Sequence, residues 1–119
     1  MKNFRNLNVW KKAHSIVLDV YKATANFPKE ELYALTSQTR RAASSIPTNI
    51  AEGCGRGTDA DFGRFLQIAM GSASELEYHL LLAYDLKFLN QILYKKLDDD
   101  VTEVKRMLAS LLIKLKADR

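Results

Sequence analysis

Apolar residues recur at intervals of three and four along most of this chain, and that spacing places them on one face of an α-helix. The clearest run lies near the C-terminus and consists of Leu97, Val101, Val104, Leu108, Leu111 and Leu115. The run in the first segment consists of Trp10, Ala13, Val17, Val20, Thr24 and Phe27, with Ile16, Leu18 and Tyr21 as surplus apolar residues outside it. The run in the third segment consists of Phe62, Phe65, Ala69, Ala73, Leu76, Leu80 and Ala83. Nowhere do apolar residues alternate with a period of two between hairpin signals, so we predict an all-α fold.

The second segment has the same helical spacing from Leu35 to Gly53, although Pro47 lies inside it. Proline in a helix interior removes a backbone donor and clashes with the preceding turn, at a cost of about 3 kcal/mol. Because Ile46 and Ile50 are four residues apart, the apolar face continues in phase across the proline. We therefore predict one kinked helix rather than two, ended by the glycine-rich segment that follows.

Polar residues at the predicted helix ends indicate where the helices begin. The first helix is expected to begin near Asn8, whose side chain can cap the free amides of the first turn. Thr36 is the expected cap of the second helix, and Thr58 with Asp61 resembles a capping box for the third. Short connections between four amphipathic helices favour antiparallel neighbours. We therefore predict an up-down-up-down antiparallel four-helix bundle with a Pro-kinked second helix.

Two glycines, Gly63 and Gly71, lie inside the predicted third helix. Each costs about 1 kcal/mol relative to alanine in a helix interior. Close approach of a neighbouring backbone would compensate for this cost, so we expect tight packing at both positions.

Polar residues of the second and third helices are expected to form a structural network. The set comprises Arg40, Arg41, Asn49, Glu52, Ser72 and Glu75. Arg41 immediately precedes two alanines, so its guanidinium is expected at the margin of the core, where it needs a carboxylate. Glu52 and Glu75 are the candidate partners. Ion pairs of this kind are commoner as packing devices than as chemical sites, and we favour the structural interpretation over a catalytic or ligand site.

The composition is that of one globular domain, expected to span residues 1–119. The chain is 47% hydrophobic and 27% charged, and two prolines and five glycines leave little material for disordered linkers. The single cysteine, Cys54, cannot form an internal disulfide, and no N-terminal apolar run resembles a signal peptide or a membrane span. We therefore expect a cytoplasmic protein without a membrane partner.

The titratable residues form no recognisable catalytic or metal-binding motif. His79 lacks the Glu-x-x-His spacing of a bundle di-iron site, because Leu76 occupies the required position. Glu75 and His79 are four residues apart, but a single pair of this kind more often makes a surface hydrogen bond than a metal site. The glycines around Cys54 lack the strand and the Lys-Ser/Thr pair of a phosphate loop. We expect no enzyme activity, no metal and no cofactor, and we assign Cys54 no role.

Basic residues outside the apolar runs make nucleic acid a candidate partner. The candidates are Lys11, Lys12, Lys22, Lys95, Lys96, Lys105, Arg106, Lys114 and Lys116. The net charge of +4 is a mild excess of 18 basic over 14 acidic residues, so it favours an anionic partner without specifying one. If the first and last helices adjoin, these groups form one phosphate-binding patch, and the alternative is an ordinary solvated face.

Surplus apolar residues make a protein partner the second candidate. Leu80–Leu82 and Leu111–Ile113 are runs of three consecutive apolar residues, and each spans about 200° of a helix. One neighbouring helix cannot cover so wide a sector. We therefore expect these runs to contribute to self-association.

The second and third segments contain a long motif of polar, small and apolar residues. Its members are Leu35, Gln38, Arg40, Arg41, Ala42, Ser45, Ile46, Asn49, Ile50, Ala51, Glu52, Gly53, Arg56, Phe65, Leu66, Ala69, Gly71, Ser72, Glu75 and Leu76. This motif resembles the signature of the four-helix-bundle family encoded in intervening sequences of bacterial 23S rRNA genes. The chain more distantly resembles the accessory variability protein of diversity-generating retroelements. The family resemblance implies a pentamer and a link to rRNA genes, and the retroelement relative implies binding to nucleic acid and to a reverse transcriptase. Thr39 departs from the pattern, since the family usually has a larger apolar residue there.

Pattern and resemblance together predict a cytoplasmic, non-enzymatic homo-oligomer that binds RNA or DNA through a basic surface with little sequence preference. The alternative function is an oligomeric protein-interaction scaffold that does not bind nucleic acid. A reverse transcriptase is a candidate partner only through the more distant resemblance.

Overall fold

Four α-helices account for most of the computed structural model, which describes residues 2–117. The helices are α1 (Asn8–Thr24), α2 (Ser37–Cys54), α3 (Asp59–Asp85) and α4 (Gln91–Ala117). The shorter helical turns are 3-10 turns at Phe4–Asn6 and Lys29–Glu31 and a π-helical turn at Leu32–Thr36. No strand occurs within residues 2–117, and the all-α prediction is confirmed. Residues 1, 118 and 119 of the expected domain lie outside the described range.

Each helix packs against the next one along the chain, and α1 also packs against α4. α2 and α3 are antiparallel, as two contacts between them show. Gly53, near the end of α2, lies against Phe65, near the start of α3, whereas the Ser45 hydroxyl lies 2.8 Å from that of Ser72. The chain measures 46 × 23 × 20 Å, and a helix of 27 residues such as α3 is about 40 Å long. This packing and these dimensions are those of a four-helix bundle.

The apolar repeat of α4 lies on the face turned toward the core. Leu97, Val101, Val104 and Leu108 are completely buried, and Leu115 is nearly so. Leu111, the remaining predicted member, is only partly buried. Regular spacing with branched residues at most positions was therefore sufficient to identify this inner face.

The inner face of α1 differs from the predicted run. Ile16, a surplus residue in the predicted pattern, is buried in the core. Trp10 and Val17, predicted inside the run, are only partly buried because they lie toward α2, beside Pro47. The surplus residue Tyr21 remains 47% exposed. The apolar sector of α1 is wider than one line of residues at helical spacing, so two inner faces are compatible with the sequence. The prediction that Ile16 lies outside the inner face is wrong.

The predicted caps are correct for one helix and wrong for two. Thr58 caps α3, since its Oγ1 accepts a hydrogen bond from the Asp61 N–H at 3.1 Å. Asn8 does not cap α1 because it is already the first helical residue, and Leu7 before it has no polar side chain. Thr36 makes no capping hydrogen bond, because its backbone is helical and the π-helical turn leads directly into α2.

Pro47 is buried within α2, which continues unbroken from Ser37 to Cys54 as predicted. A bend of the helix at this proline stays a prediction. Thr39, the departure from the family pattern, is completely buried and its hydroxyl donates to the Leu35 carbonyl at 2.6 Å. This bond satisfies the hydroxyl, so a threonine fits the core here.

Close helix approach occurs at Gly53 rather than at the two glycines predicted for α3. A Cβ added to Gly53 would lie 2.9 Å from the Phe65 Cβ and 3.0 Å from the Phe62 ring. A Cβ on Gly63 would make only ordinary contact with a leucine at 3.9 Å, and one on Gly71 would have nothing within 4 Å. The prediction of tight packing at Gly63 and Gly71 is wrong.

Candidate nucleic-acid interface

The predicted basic patch between α1 and α4 is held together by carboxylates of the same chain. Asp100 accepts hydrogen bonds from Lys12 of α1 at 3.0 Å and from Lys96 of α4 at 2.9 Å. Lys96 also donates to Asp19 of α1 at 3.1 Å. Burial opposes ionisation of Asp100, but the bonds from Lys96 and Lys12 outweigh it and hold the pKa of its carboxyl below the ordinary value. The two helices adjoin as expected, and Lys12 and Lys96 are already paired with carboxylates of the same chain.

Three further candidate cations on α4 are paired in the same way. The pairs are Lys95–Asp99 at 2.9 Å, Lys105–Glu77 at 3.0 Å, and Arg106–Glu103. A phosphate group approaching this face would meet these carboxylates as well as the cations. The α1–α4 face therefore lacks the uncompensated positive charge that the sequence led us to expect.

The other candidate cations are exposed and form no ion pair with a carboxylate among residues 2–117. They are Lys11 and Lys22 on α1 and Lys114 and Lys116 in the last turn of α4. Two of these lysines lie on α1 and two in the last turn of α4. The predicted site therefore separates into a neutralised face and two smaller sets of available lysines.

Positive charge is concentrated at one end of the bundle, which we call the cationic end. Its cations are Lys2, Arg5, Arg56, Arg64, Lys114 and Lys116, and all are exposed. The backbone N–H of Lys2 donates to the Cys54 carbonyl at 3.3 Å, so the N-terminal segment lies against the α2–α3 connection. Arg64 of α3 and Lys116 of α4 line the same surface groove. Three distant segments thus meet here, and among residues 2–117 the cations of this end outnumber its carboxylates, which are Glu52, Asp59 and Asp61.

Aromatic rings beneath the cationic end hold some of these cations in place. The guanidinium groups of Arg56 and Arg64 lie 4.8 and 4.6 Å from the centre of the Phe65 ring. The Lys2 ammonium lies 5.1 Å from the centre of the Phe62 ring. Lys2, Arg56 and Arg64 also pair with the nearby carboxylates Asp59, Glu52 and Asp61, at 3.9, 3.0 and 3.7 Å. These exposed pairs are as weak as the exposed pairs of the α1–α4 face, at most about 1 kcal/mol each. The cationic end differs from that face because three of its cations, Arg5, Lys114 and Lys116, form no ion pair within residues 2–117.

Asn49 and Ser72, two members of the predicted polar network, join α2 to α3 through Ser45. The Ser45 and Ser72 hydroxyls are 2.8 Å apart. Asn49 Nδ2 donates to the Ser45 carbonyl at 2.8 Å and to its hydroxyl at 3.0 Å. This part of the set is a structural contact between helices.

The charged members of the predicted network do not pair as expected. Arg41 is exposed and forms no ion pair within residues 2–117, because the two alanines that follow it take the core positions of this turn. Glu52 instead pairs with Arg56 at 3.0 Å, and Glu75 lies 3.8 Å from Nε2 of His79. The expected Arg41–carboxylate pair is therefore wrong.

Arg40 packs against α1 instead. Its Nε donates to Thr24 Oγ1 at 2.8 Å, and its guanidinium lies 4.8 Å from the centre of the Tyr21 ring. No local pattern predicts this contact, because Thr24 and Tyr21 lie on α1 and Arg40 lies on α2.

The remaining candidates for chemistry are isolated. His79 is buried, and its Nδ1 has no hydrogen-bond partner among the described residues. Burial raises the pKa of the Cys54 thiol, which favours the unreactive protonated form. Residues 2–117 contain no group of three His, Cys, Asp or Glu side chains arranged to hold a metal. Within the same range, no helix is long and apolar enough to cross a bilayer.

Most of the surplus apolar residues are covered, but a groove remains between α3 and α4. Leu80 is buried, whereas Leu81 is 42% and Ile113 is 70% exposed. The α3–α4 groove has a volume of about 500 Å³ and is lined mainly by Ala60, Gly63, Met70, Ala109, Leu112 and Ile113. Arg64 and Lys116 of the cationic end also line it. The groove is thus apolar and continuous with the basic surface.

The family model for the 23S rRNA-intervening sequence protein matches residues 5–110. Among solved structures, the chain is similar to a protein from Bacteroides thetaiotaomicron VPI-5482, described as having unknown function and belonging to the S23 ribosomal protein family. The two share 27% sequence identity and a TM-score of 0.81, and the match covers 87% of this chain and 94% of the other. No curated protein matches the chain. The likeness to the retroelement accessory protein stays a prediction, whereas the chain belongs to the family of 23S rRNA-intervening sequence proteins.

Proposed function

We propose that this chain is a non-enzymatic cytoplasmic bundle that self-associates and binds RNA or DNA at its cationic end, with little sequence preference. The observation that supports this proposal is the excess of exposed cations at that end, contributed by three segments of the chain. Most of the cations on the α1–α4 face are held by carboxylates of the same chain. The cationic end is therefore the better match for a polyanion.

The chemistry of the cationic end favours phosphate over bases. Lysine and arginine side chains on an open surface contact phosphate oxygens, which carry no sequence information. Such binding is driven by the release of condensed counterions, so the affinity falls as the salt concentration rises. The net charge of +4 on one copy supports only weak binding.

Self-association would compensate for the weak binding of one copy. The α3–α4 groove and the exposed Ile113 provide an apolar surface for a second copy. The family resemblance implies a pentamer, and closed symmetry would bury this surface on every copy. A ring presents several cationic ends to one nucleic acid, and this multivalency raises the overall affinity.

Fluorescence anisotropy with a labelled RNA or DNA strand tests the proposal. The variant Lys114→Gln, Lys116→Gln removes two cations of the cationic end, and we expect it to bind more weakly than the parent. The variant Lys29→Gln, Lys87→Gln is the matched control, because it removes two exposed lysines at the other end of the bundle. Light scattering on both variants checks that their oligomeric mass is unchanged. Equal loss of affinity in the two variants would show that net charge alone matters and would contradict a site at the cationic end.

A protein-interaction scaffold is the second candidate function, and the exposed Ile113 beside the α3–α4 groove favours it. The scaffold requires self-association without binding to nucleic acid. An oligomer that leaves the anisotropy of every labelled strand unchanged at low salt would favour this candidate.

A further inference from the structure

A second groove, with a volume of about 410 Å³, runs between α1 and α2. We call it the α1–α2 groove. One wall consists of Phe4, Trp10, His14 and Val17, and the other consists of Ser44, Pro47, Thr48 and Ala51. None of these residues is acidic, and three of the four in the first wall carry aromatic rings. None of the lining residues belongs to the cationic end, although Arg5 of that end lies beside the groove.

The rings of the first wall form a continuous arrangement. Trp10 and His14 are stacked, with 5.0 Å between ring centres and 7° between ring planes. Phe4 meets the Trp10 ring edge-on at 4.9 Å. Phe4 and Trp10 pack against the core, whereas His14 is exposed. The core therefore fixes the orientation of the stack, and the exposed histidine ring can accept a further planar group.

Arginines flank the aromatic wall at both ends. The Arg5 guanidinium lies 4.5 Å from the centre of the Phe4 ring. At the other end, Tyr21 continues the row one turn beyond Val17, and the Arg40 guanidinium lies 4.8 Å from its ring centre. Neither arginine forms an ion pair with a carboxylate of the described residues. The groove thus combines planar rings with positive charge and contains no negative charge.

We propose that the α1–α2 groove binds unpaired bases of single-stranded RNA or DNA by stacking, while Arg5 and Arg40 contact the flanking phosphates. Stacking of bases on aromatic side chains next to basic groups is the usual mode of sequence-tolerant single-strand binding. The opposite wall carries the Ser44 and Thr48 hydroxyls. The Ser44 hydroxyl donates to the Arg41 carbonyl at 3.3 Å and retains its capacity to accept a hydrogen bond from a base. This inference rests on the proposed nucleic-acid binding and adds that the nucleic acid contains an unpaired segment.

Charge complementarity favours this occupant over a protein segment. An apolar segment would cover the rings but would supply no anionic group to Arg5 or Arg40. A strand supplies a base for each exposed ring and a phosphate for each arginine. Occupation by a second copy is therefore the alternative outcome of the test.

Trp10 is the single tryptophan of the chain, so tryptophan emission reports directly on this groove. We would titrate the full-length protein with an oligoadenylate strand of about 12 nucleotides, a length typical of single-strand sites, and with an RNA duplex of equal length. The strand is expected to quench Trp10 emission to saturation, and the duplex is expected to leave it nearly unchanged. His14→Ala should weaken strand binding by about fivefold or more, because it removes a stacking surface. Tyr33→Ala is the matched control, since Tyr33 is 92% exposed and lies outside the groove.

The outcomes separate this inference from the proposed function. Base stacking in the groove would be contradicted if strand and duplex bind with equal affinity, Trp10 emission does not change and His14→Ala binds like the parent. Phosphate binding at the cationic end would remain supported by the same result. Quenching that is lost in His14→Ala but kept in Lys114→Gln, Lys116→Gln, with the same affinity as the parent, would support the groove and contradict a site at the cationic end. Emission that depends on protein concentration but not on the strand would assign the groove to a second copy and overturn the inference. Failure of every strand and duplex to bind would overturn both proposals.

Discussion

Gly53 of α2 and Phe65 of α3 lie so close that a methyl group on Gly53 would come within 2.9 Å of the Phe65 Cβ. Gly53→Ala should therefore push the helices apart and lower the free energy of unfolding by about 1–3 kcal/mol. Gly71→Ala is the matched control, because nothing lies within 4 Å of the added carbon. It should raise the free energy of unfolding by about 0.5–1 kcal/mol, since alanine favours a helix interior. Urea unfolding followed by circular dichroism measures both, and equal effects would contradict the close approach.

Arg41→Ala should have little effect on stability, because Arg41 is exposed and forms no ion pair within residues 2–117. We expect a change of less than about 0.5 kcal/mol. Ser72→Ala should cost about 0.5–1.5 kcal/mol, because it removes the hydrogen bond to Ser45 between α2 and α3. Thermal unfolding of the two variants compares these effects. A larger loss of stability in Arg41→Ala than in Ser72→Ala would contradict the exposed position of Arg41 and favour the buried ion pair predicted from the sequence.

Asp100 should make stability sensitive to acid. Its pKa is lower in the folded chain than the ordinary value of 3.8, so its contribution is fully present above that pH. The contribution is lost as the pH falls through the folded pKa, where protonation releases Lys12 and Lys96. Asp100→Asn should therefore flatten the loss of stability below about pH 4. Asp99→Asn, which removes a carboxylate from an exposed pair, should leave the acid limb as steep as in the parent, and denaturant unfolding at several pH values makes the comparison.

Ile113 should contribute to self-association rather than to the monomer core. Size-exclusion chromatography with light scattering should give the parent a mass well above 13.5 kDa at micromolar concentration. Ile113→Ser should lower that mass while leaving the unfolding temperature nearly unchanged, because the side chain is 70% exposed. Ile92→Ser is the control, since Ile92 is 85% exposed and lies at the other end of α4. A parent that elutes with the mass of one chain would contradict self-association.

The helices of this fold could be predicted from the sequence because their determinants are local. The repeat from Leu97 to Leu108 identifies its buried face without any knowledge of the neighbouring helices. The start of α3 is likewise predicted locally, because Thr58 and Asp61 are three residues apart and form the cap. The sequence does not determine whether Trp10 or Ile16 faces the core, because both lie within one wide apolar sector. The packing of α2 against α1 decides between them.

Only part of the candidate site could be predicted in the same way. Lys95–Asp99, Lys96–Asp100 and Arg106–Glu103 lie three or four residues apart on α4, so helical spacing alone indicates these pairs. The rest of the site depends on contacts between distant segments. Lys96 is predicted to bind phosphate, but the fold places Asp19 of α1 within 3.1 Å of its ammonium group. The cationic end combines Lys2 with Arg64 and Lys116, which no local pattern connects. The aromatic wall of the α1–α2 groove could not be predicted either, because a tryptophan and a histidine at helical spacing resemble ordinary core residues.

The salt dependence of nucleic-acid binding tests the central claim most directly. For the parent, the logarithm of the affinity should fall linearly with the logarithm of the salt concentration, by about 0.7–0.9 for each phosphate neutralised. In Lys114→Gln, Lys116→Gln the slope should be smaller by about two such contacts. Anisotropy of a labelled strand across a salt series gives both slopes. No binding at low salt, or the same slope in parent and variant, would contradict a phosphate-binding site at the cationic end.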